Sequence, residues 1–92
     1  MKKFTKIFVL SNFSEVCFRM MIDHGRISYY LEASVYVPHT LFEERVFEET
    51  FDDLKNTFEA LNDQTAENFA KYAYNEVEVL EDENMGLDAL LN

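Results

Sequence analysis

Two histidines, one cysteine and eighteen carboxylates are the side chains with which this 92-residue chain could do chemistry. His24 sits in Asp23-His24-Gly25-Arg26, a hairpin-turn sequence, and His39 follows Pro38. Nucleophilic catalysis needs nucleophile, base and orienting group to converge, and no local motif around either histidine implies that. Cys17 lies between Val16 and Phe18 inside a strand-like run, with no nearby base to activate it; a packing role is expected. No CxxC, HxxxH or HExxH spacing occurs. Glu81-Asp82-Glu83-Asn84-Met85-Gly86 is acidic before a glycine, but Met85 interrupts the oxygen ligands of a calcium loop and no Glu stands six places after Gly86. With glycine only at 25 and 86 there is no phosphate-cradling loop. The expectation is a protein that is not an enzyme and takes no cofactor and no metal.

The carboxylates remain. Residues 1–42 hold three acids against five bases, a charge of +2, and residues 43–92 hold fifteen acids against three bases, a charge of −12. The candidate partner-binding residues are Glu43, Glu44, Glu48, Glu49, Asp52, Asp53, Glu59, Asp63, Glu67, Glu76 and Glu78. Crowded like charges repel and cost stability, and a chain that needs only solubility intersperses lysines among them. Carboxylates at i and i+2 on a strand lie roughly 7 Å apart, and those at i and i+4 on a helix roughly 6 Å. Both spacings are in the range of neighbouring DNA phosphates. Such a surface repels nucleic acid and anionic membranes and attracts a basic, DNA-binding protein.

The elements that must position these acids are legible as hydrophobic periods. Residues 4–10 and 15–22 read as strands, and Gly25 suits a hairpin turn because it tolerates positive φ. In 27–37, Ile27, Tyr29, Leu31, Ala33, Val35 and Val37 fall on one face and Ser28, Tyr30, Glu32, Ser34 and Tyr36 on the other, the pattern of a half-buried antiparallel strand that ends at Pro38. A short fourth strand is expected over about 43–48. From Thr50 the period becomes helical: Phe51, Leu54, Phe58 and Leu61 form a stripe, with Thr50 as cap and Asp53 at the capping-box position. Thr65 is the expected cap of a second helix buried through Ala66, Phe69, Ala70, Ala73 and Val77. The alternation of Glu76 and Glu78 with Val77 and Val79 favours an extended piece over 76–80, and residues 81–86 read as an acidic loop.

The expected fold is therefore α+β: a small, mainly antiparallel sheet of three to four strands with two C-terminal helices on one face. The chain reads as a single domain over 1–92, mainly strands in 1–48, mainly helices in 49–80 and an acidic tail in 81–92. The expected core is Ile7, Val9, Val16, Phe18, Met20, Ile27, Leu31, Val35, Phe51, Leu54, Phe58, Leu61, Phe69 and Ala73. A hydrophobic content of 48% with nine Phe and five Tyr argues against a disordered acidic tail. One cysteine leaves no disulfide framework, and no stretch approaches the ~20 apolar residues of a membrane span. Cytoplasmic residence is expected.

In size, charge of −10, mixed α+β pattern and clustering of acids in one half, the chain resembles the small phage-encoded DNA-mimic inhibitors, and among them the anti-restriction nuclease family of T-even phages. Small phage inhibitors of other kinds, such as anti-CRISPR proteins, share these features. The resemblance covers the whole chain but carries no signature motif, so it transfers no residue roles. It implies an acidic dimer in the host cytoplasm that blocks a host restriction nuclease or another defence or nucleoid protein, with no direct contact to nucleic acid; the residues themselves also lead to the expectation of a homodimer, paired through the Tyr30, Glu32, Ser34 and Tyr36 face or through a free sheet edge. The rival expectation is an adaptor or antitoxin-like module that binds one partner through an aromatic patch of Tyr30, Tyr36, Tyr72 and Tyr74.

Overall fold

Four strands form one antiparallel meander and two helices cover one of its faces, an α+β fold. The computed structural model describes residues 1–37 and 39–91, with side chains through Val77; Pro38, the expected strand terminator, lies outside the described residues. The strands are β1 (Lys2–Val9), β2 (Glu15–Asp23), β3 (Ser28–Tyr36) and β4 (Leu41–Glu48), in the spatial order of the chain. The helices are α1 (Phe51–Glu59) and α2 (Asp63–Leu91).

Strand pairing decides which side chains meet the helices. Residues opposite one another across the ladder share a face, and Phe8, Val16 and Val35 fall in one such row with Phe42. Phe69 of α2 lies 6.0 Å from Phe18 and 5.9 Å from Phe42, so this is the helix-covered side. Val16, Phe18, Met20, Ile22, Leu31, Ala33, Val35 and Val37 are buried there beneath Leu54, Phe58, Ala66, Ala73 and Val77. Leu61 and Phe69 pack, half-buried, against that core.

Four of the expected core residues lie elsewhere. Ile7 and Val9 are 58% and 61% exposed, because the register with β2 turns Lys6 and Phe8 toward the helices instead. Lys6 tolerates that position because its Nζ stands over the Phe58 ring, 5.0 Å from the centroid, and donates to the Phe58 and Glu59 carbonyls at 2.8 and 3.4 Å. A cation is thereby set at the negative end of α1. Ile27 is exposed, having been drawn into the β2–β3 turn with φ at 50°; the glycine of that turn, Gly25, does not adopt positive φ. Phe51 is 40% exposed at the start of α1, with its ring tilted against that of Tyr29 at 6.3 Å.

Local capping explains the helix starts. The Asp53 N–H donates to Thr50 Oγ1 at 3.1 Å, as the Thr50 cap expectation required. At the second helix the cap is Asn62, not Thr65: the Thr65 N–H donates to Asn62 Oδ1 at 3.0 Å and the Asn62 N–H to Thr65 Oγ1 at 2.9 Å, a reciprocal box. α2 then continues unbroken through Leu91, in place of the expected extended piece over 76–80 and acidic loop over 81–86. Val77 is buried four residues after Ala73, so the helical period, not the alternation of two, governs this segment.

Candidate functional site

Each acid takes its surroundings from its element. On β4 the pleat sends Glu43 to the uncovered face of the sheet and Glu44 and Glu48 to the helix side. Glu44 accepts a hydrogen bond from the Tyr72 hydroxyl at 3.0 Å, and Glu76 stands near enough to act on the same phenol. That hydrogen bond, then the Glu44 charge, then desolvation and the Glu76 charge hold the Tyr72 hydroxyl above the usual tyrosine range. Glu48 lies 3.5 Å from the Thr57 hydroxyl of α1. Glu49 is exposed just before α1, and Asp52 and Asp53 are exposed in its first turn, where carboxylates suit the positive end of the helix.

Glu59 and Glu67 have basic neighbours one helical turn away, Lys55 at 4.0 Å and Lys71 at 3.8 Å. Both are long, solvent-exposed pairs of small energetic weight. Asp63 and Glu67 share the wall of an open hollow of about 710 Å³ between α2 and the β1–β2 turn, floored by Leu10, Val37 and Ala70. Glu78 belongs to α2, but its side chain lies outside the described residues. The structure thus brings Glu44 together with Glu76, groups Glu49 with Asp52 and Asp53, sets Asp63 beside Glu67, and separates Glu43 from all of these.

The opposite face of the sheet, which the acid pattern did not single out, carries a different constellation. Glu32 accepts from Arg19 Nη1 at 3.1 Å and from Arg45 Nε at 3.2 Å, and Arg19 also donates to Ser34 Oγ at 3.2 Å. The Arg45 guanidinium lies 5.7 Å from the Tyr30 ring, which in turn packs on Phe47 at 5.1 Å. Exposed Ile7, Val9, Tyr36, Leu41 and Phe47 surround this centre, and Cys17 and Met21 are half-buried within it. The alternation of Leu41, Glu43, Arg45 and Phe47 was the available signal. The four tyrosines of the aromatic-patch expectation divide: Tyr30 and Tyr36 lie on this face, Tyr72 and Tyr74 on α2.

His24 and His39 are exposed in turns, and Cys17 faces the uncovered side from β2. Among the described residues no three His, Cys, Asp or Glu side chains stand close enough to hold a metal ion, and no helix is long and apolar enough to cross a membrane. No family model, curated protein or solved structure matches the chain.

Proposed function

We propose that the chain is a non-catalytic binding protein that occupies the DNA-binding site of a basic host protein, such as a restriction nuclease, with its helix-side carboxylates in place of backbone phosphates. The observation that carries this reading is the imbalance on the helix side. Glu44, Glu49, Asp52, Asp53, Asp63 and Glu76 have no basic side chain within 4.0 Å among the described residues, and the two helical acids that do have one hold it at the limit of an ion pair. A field of uncompensated carboxylates carried by β4, α1 and α2 attracts a cationic cleft. The cytoplasm, where host DNA-binding proteins work, is the compartment this reading requires.

The test is capture of host proteins on the immobilised chain, with and without excess duplex DNA. Charge mimicry expects retained proteins to be DNA-binding and to be released by duplex DNA and by salt, since screening acts on exposed charges. A partner that stays bound in excess duplex rejects the reading. Changing Asp52, Asp53 and Glu59 together to Lys is expected to abolish competition with DNA while the circular dichroism spectrum is kept. The rival adaptor reading draws on the aromatic uncovered face and expects binding that hardly responds to salt.

A further inference from the structure

The uncovered sheet face is charged in a pattern complementary to itself. The ladder registers arrange its side chains in four rows across the strands: Lys3, Met21, Tyr30 and Phe47; then Thr5, Arg19, Glu32 and Arg45; then Ile7, Cys17, Ser34 and Glu43; then Val9, Glu15, Tyr36 and Leu41. The first two rows carry three cations and one acid, the last two carry two acids and no cation, so one half of the face is positive and the other negative. Asp23 stands beyond the first row, with its carboxylate turned to the Gly25 N–H at 3.1 Å.

A two-fold axis lying between two such faces, across the strands, sets the first row against the fourth and the second against the third. We infer that a second copy of this chain covers the face in this antiparallel manner, β4 over β4, with Arg45 against the partner subunit's Glu43. Arg45 commits Nε to Glu32 and keeps the rest of a half-exposed guanidinium for a second carboxylate. The aromatic row of Tyr30 and Phe47 meets the row of Tyr36 and Leu41, which buries the exposed Phe47, Tyr36, Leu41, Ile7 and Val9.

Two further observations select a second copy as the occupant. Four strands of eight or nine residues span roughly 26 by 19 Å, on the order of 500 Å² per copy, so the two faces together reach the ~1,000 Å² at which specific interfaces begin. The chain carries −10, and two copies repel unless they meet where charge is balanced. This face is so balanced, and packing through it sends the two acidic helix layers to opposite outer sides of a sandwich. The inference does not depend on the identity of any host target.

Sedimentation equilibrium tests it directly. The expected mass is twice the 10.9 kDa of one chain at micromolar concentration, and 10.9 kDa at every concentration up to millimolar overturns the inference. Arg45→Glu and Glu43→Arg each place like charges together twice in the dimer and are expected to weaken it at least tenfold. An equimolar mixture of the two pairs opposite charges at both contacts and is expected to recover the original affinity. A mixture no tighter than either variant alone overturns the antiparallel register. Ile7→Lys, at an exposed position without an intrachain partner, is expected to dissociate the dimer with an unchanged circular dichroism spectrum. Cys17 reports on the face: its reaction with a thiol reagent should slow as protein concentration rises through the dissociation constant. A dimer whose Cys17 reacts at an unchanged rate is paired through a sheet edge, which overturns the assignment to this face.

Discussion

The two faces of the sheet are built from the same strands, and their difference lies in what each strand residue is asked to satisfy. On the helix-covered face the pairing of Val16 with Val35 and of Met20 with Leu31 makes a continuous apolar floor, and Leu54 and Phe58 close it. Polar groups enter at its rim, among them Lys6 at the carbonyl end of α1, Glu44 at the Tyr72 hydroxyl and Glu48 beside the Thr57 hydroxyl. On the uncovered face the centre is polar, with Glu32 held between Arg19 and Arg45, and the apolar side chains lie around it. One face is the hydrophobic core of a single chain. The other has the composition of an interface, in which aromatic and arginine side chains combine with satisfied polar groups.

The covered face should bear the stability, and the sharpest contrast deletes apolar groups on each side. Leu54→Ala removes a fully buried side chain and is expected to cost about 3 kcal/mol. Val9→Ala, at a position 61% exposed, is expected to cost about 0.5 kcal/mol. Urea unfolding at concentrations low enough to keep the chain monomeric measures both. Similar losses would mean that the uncovered face is as much a part of the monomer core as the covered one.

Next in size is the ion triad. Glu32→Gln keeps the shape but leaves Arg19 and Arg45 facing one another without the carboxylate between them, and is expected to cost about 1–2 kcal/mol. Screening of the exposed Arg45 should shrink the loss at high salt. A loss that does not respond to salt would assign the role of Glu32 to packing.

Lys6→Ala comes third. It removes a cation from the α1 carbonyl end and its contact with Phe58, and about 1 kcal/mol is expected in the same assay. Lys6→Met keeps the length of the side chain without its charge and should recover part of that loss. Full recovery would show that the hydrogen bonds to the Phe58 and Glu59 carbonyls contribute nothing.

Lys6 also shows where sequence patterning stops. In β1 both alternations are amphipathic, Phe4-Lys6-Phe8 on one side and Thr5-Ile7-Val9 on the other, and by composition Thr5-Ile7-Val9 is the more core-like of the two. The register with β2 and the carbonyl end of α1, both set by residues far along the chain, bring Phe4-Lys6-Phe8 to the helices instead. By contrast β3 was readable because its two sides differ sharply, and α1 because Thr50 and the Leu54/Phe58 stripe agree. The segment after Tyr74 fits both periods, since Val77 follows Ala73 by one helical turn and alternates with Glu76 and Glu78. For the acids, residue counts recorded the charge but not its division between faces. Glu43 and Glu44 are adjacent in sequence and lie on opposite sides of the sheet.

The smallest effect tests how closely the helix layer is tied to β4. The Tyr72 hydroxyl donates to Glu44 with Glu76 nearby, and its ionisation would place a phenolate beside two carboxylates. Its folded value is raised above the ordinary one, which is about 10. A raised value means that the stabilisation is complete below the ordinary tyrosine range and is lost as pH rises through the folded value. The strain therefore belongs to alkaline solution, and the neutral range should be insensitive to it. Tyrosinate absorbance followed against pH is expected to show a late component that disappears in Tyr72→Phe and moves toward the ordinary range in Glu44→Gln. At neutral pH both substitutions should leave stability nearly unchanged, because the hydrogen bond lies at a wet surface. If the late component persists in Glu44→Gln, desolvation and the Glu76 charge outweigh Glu44 in raising the Tyr72 hydroxyl.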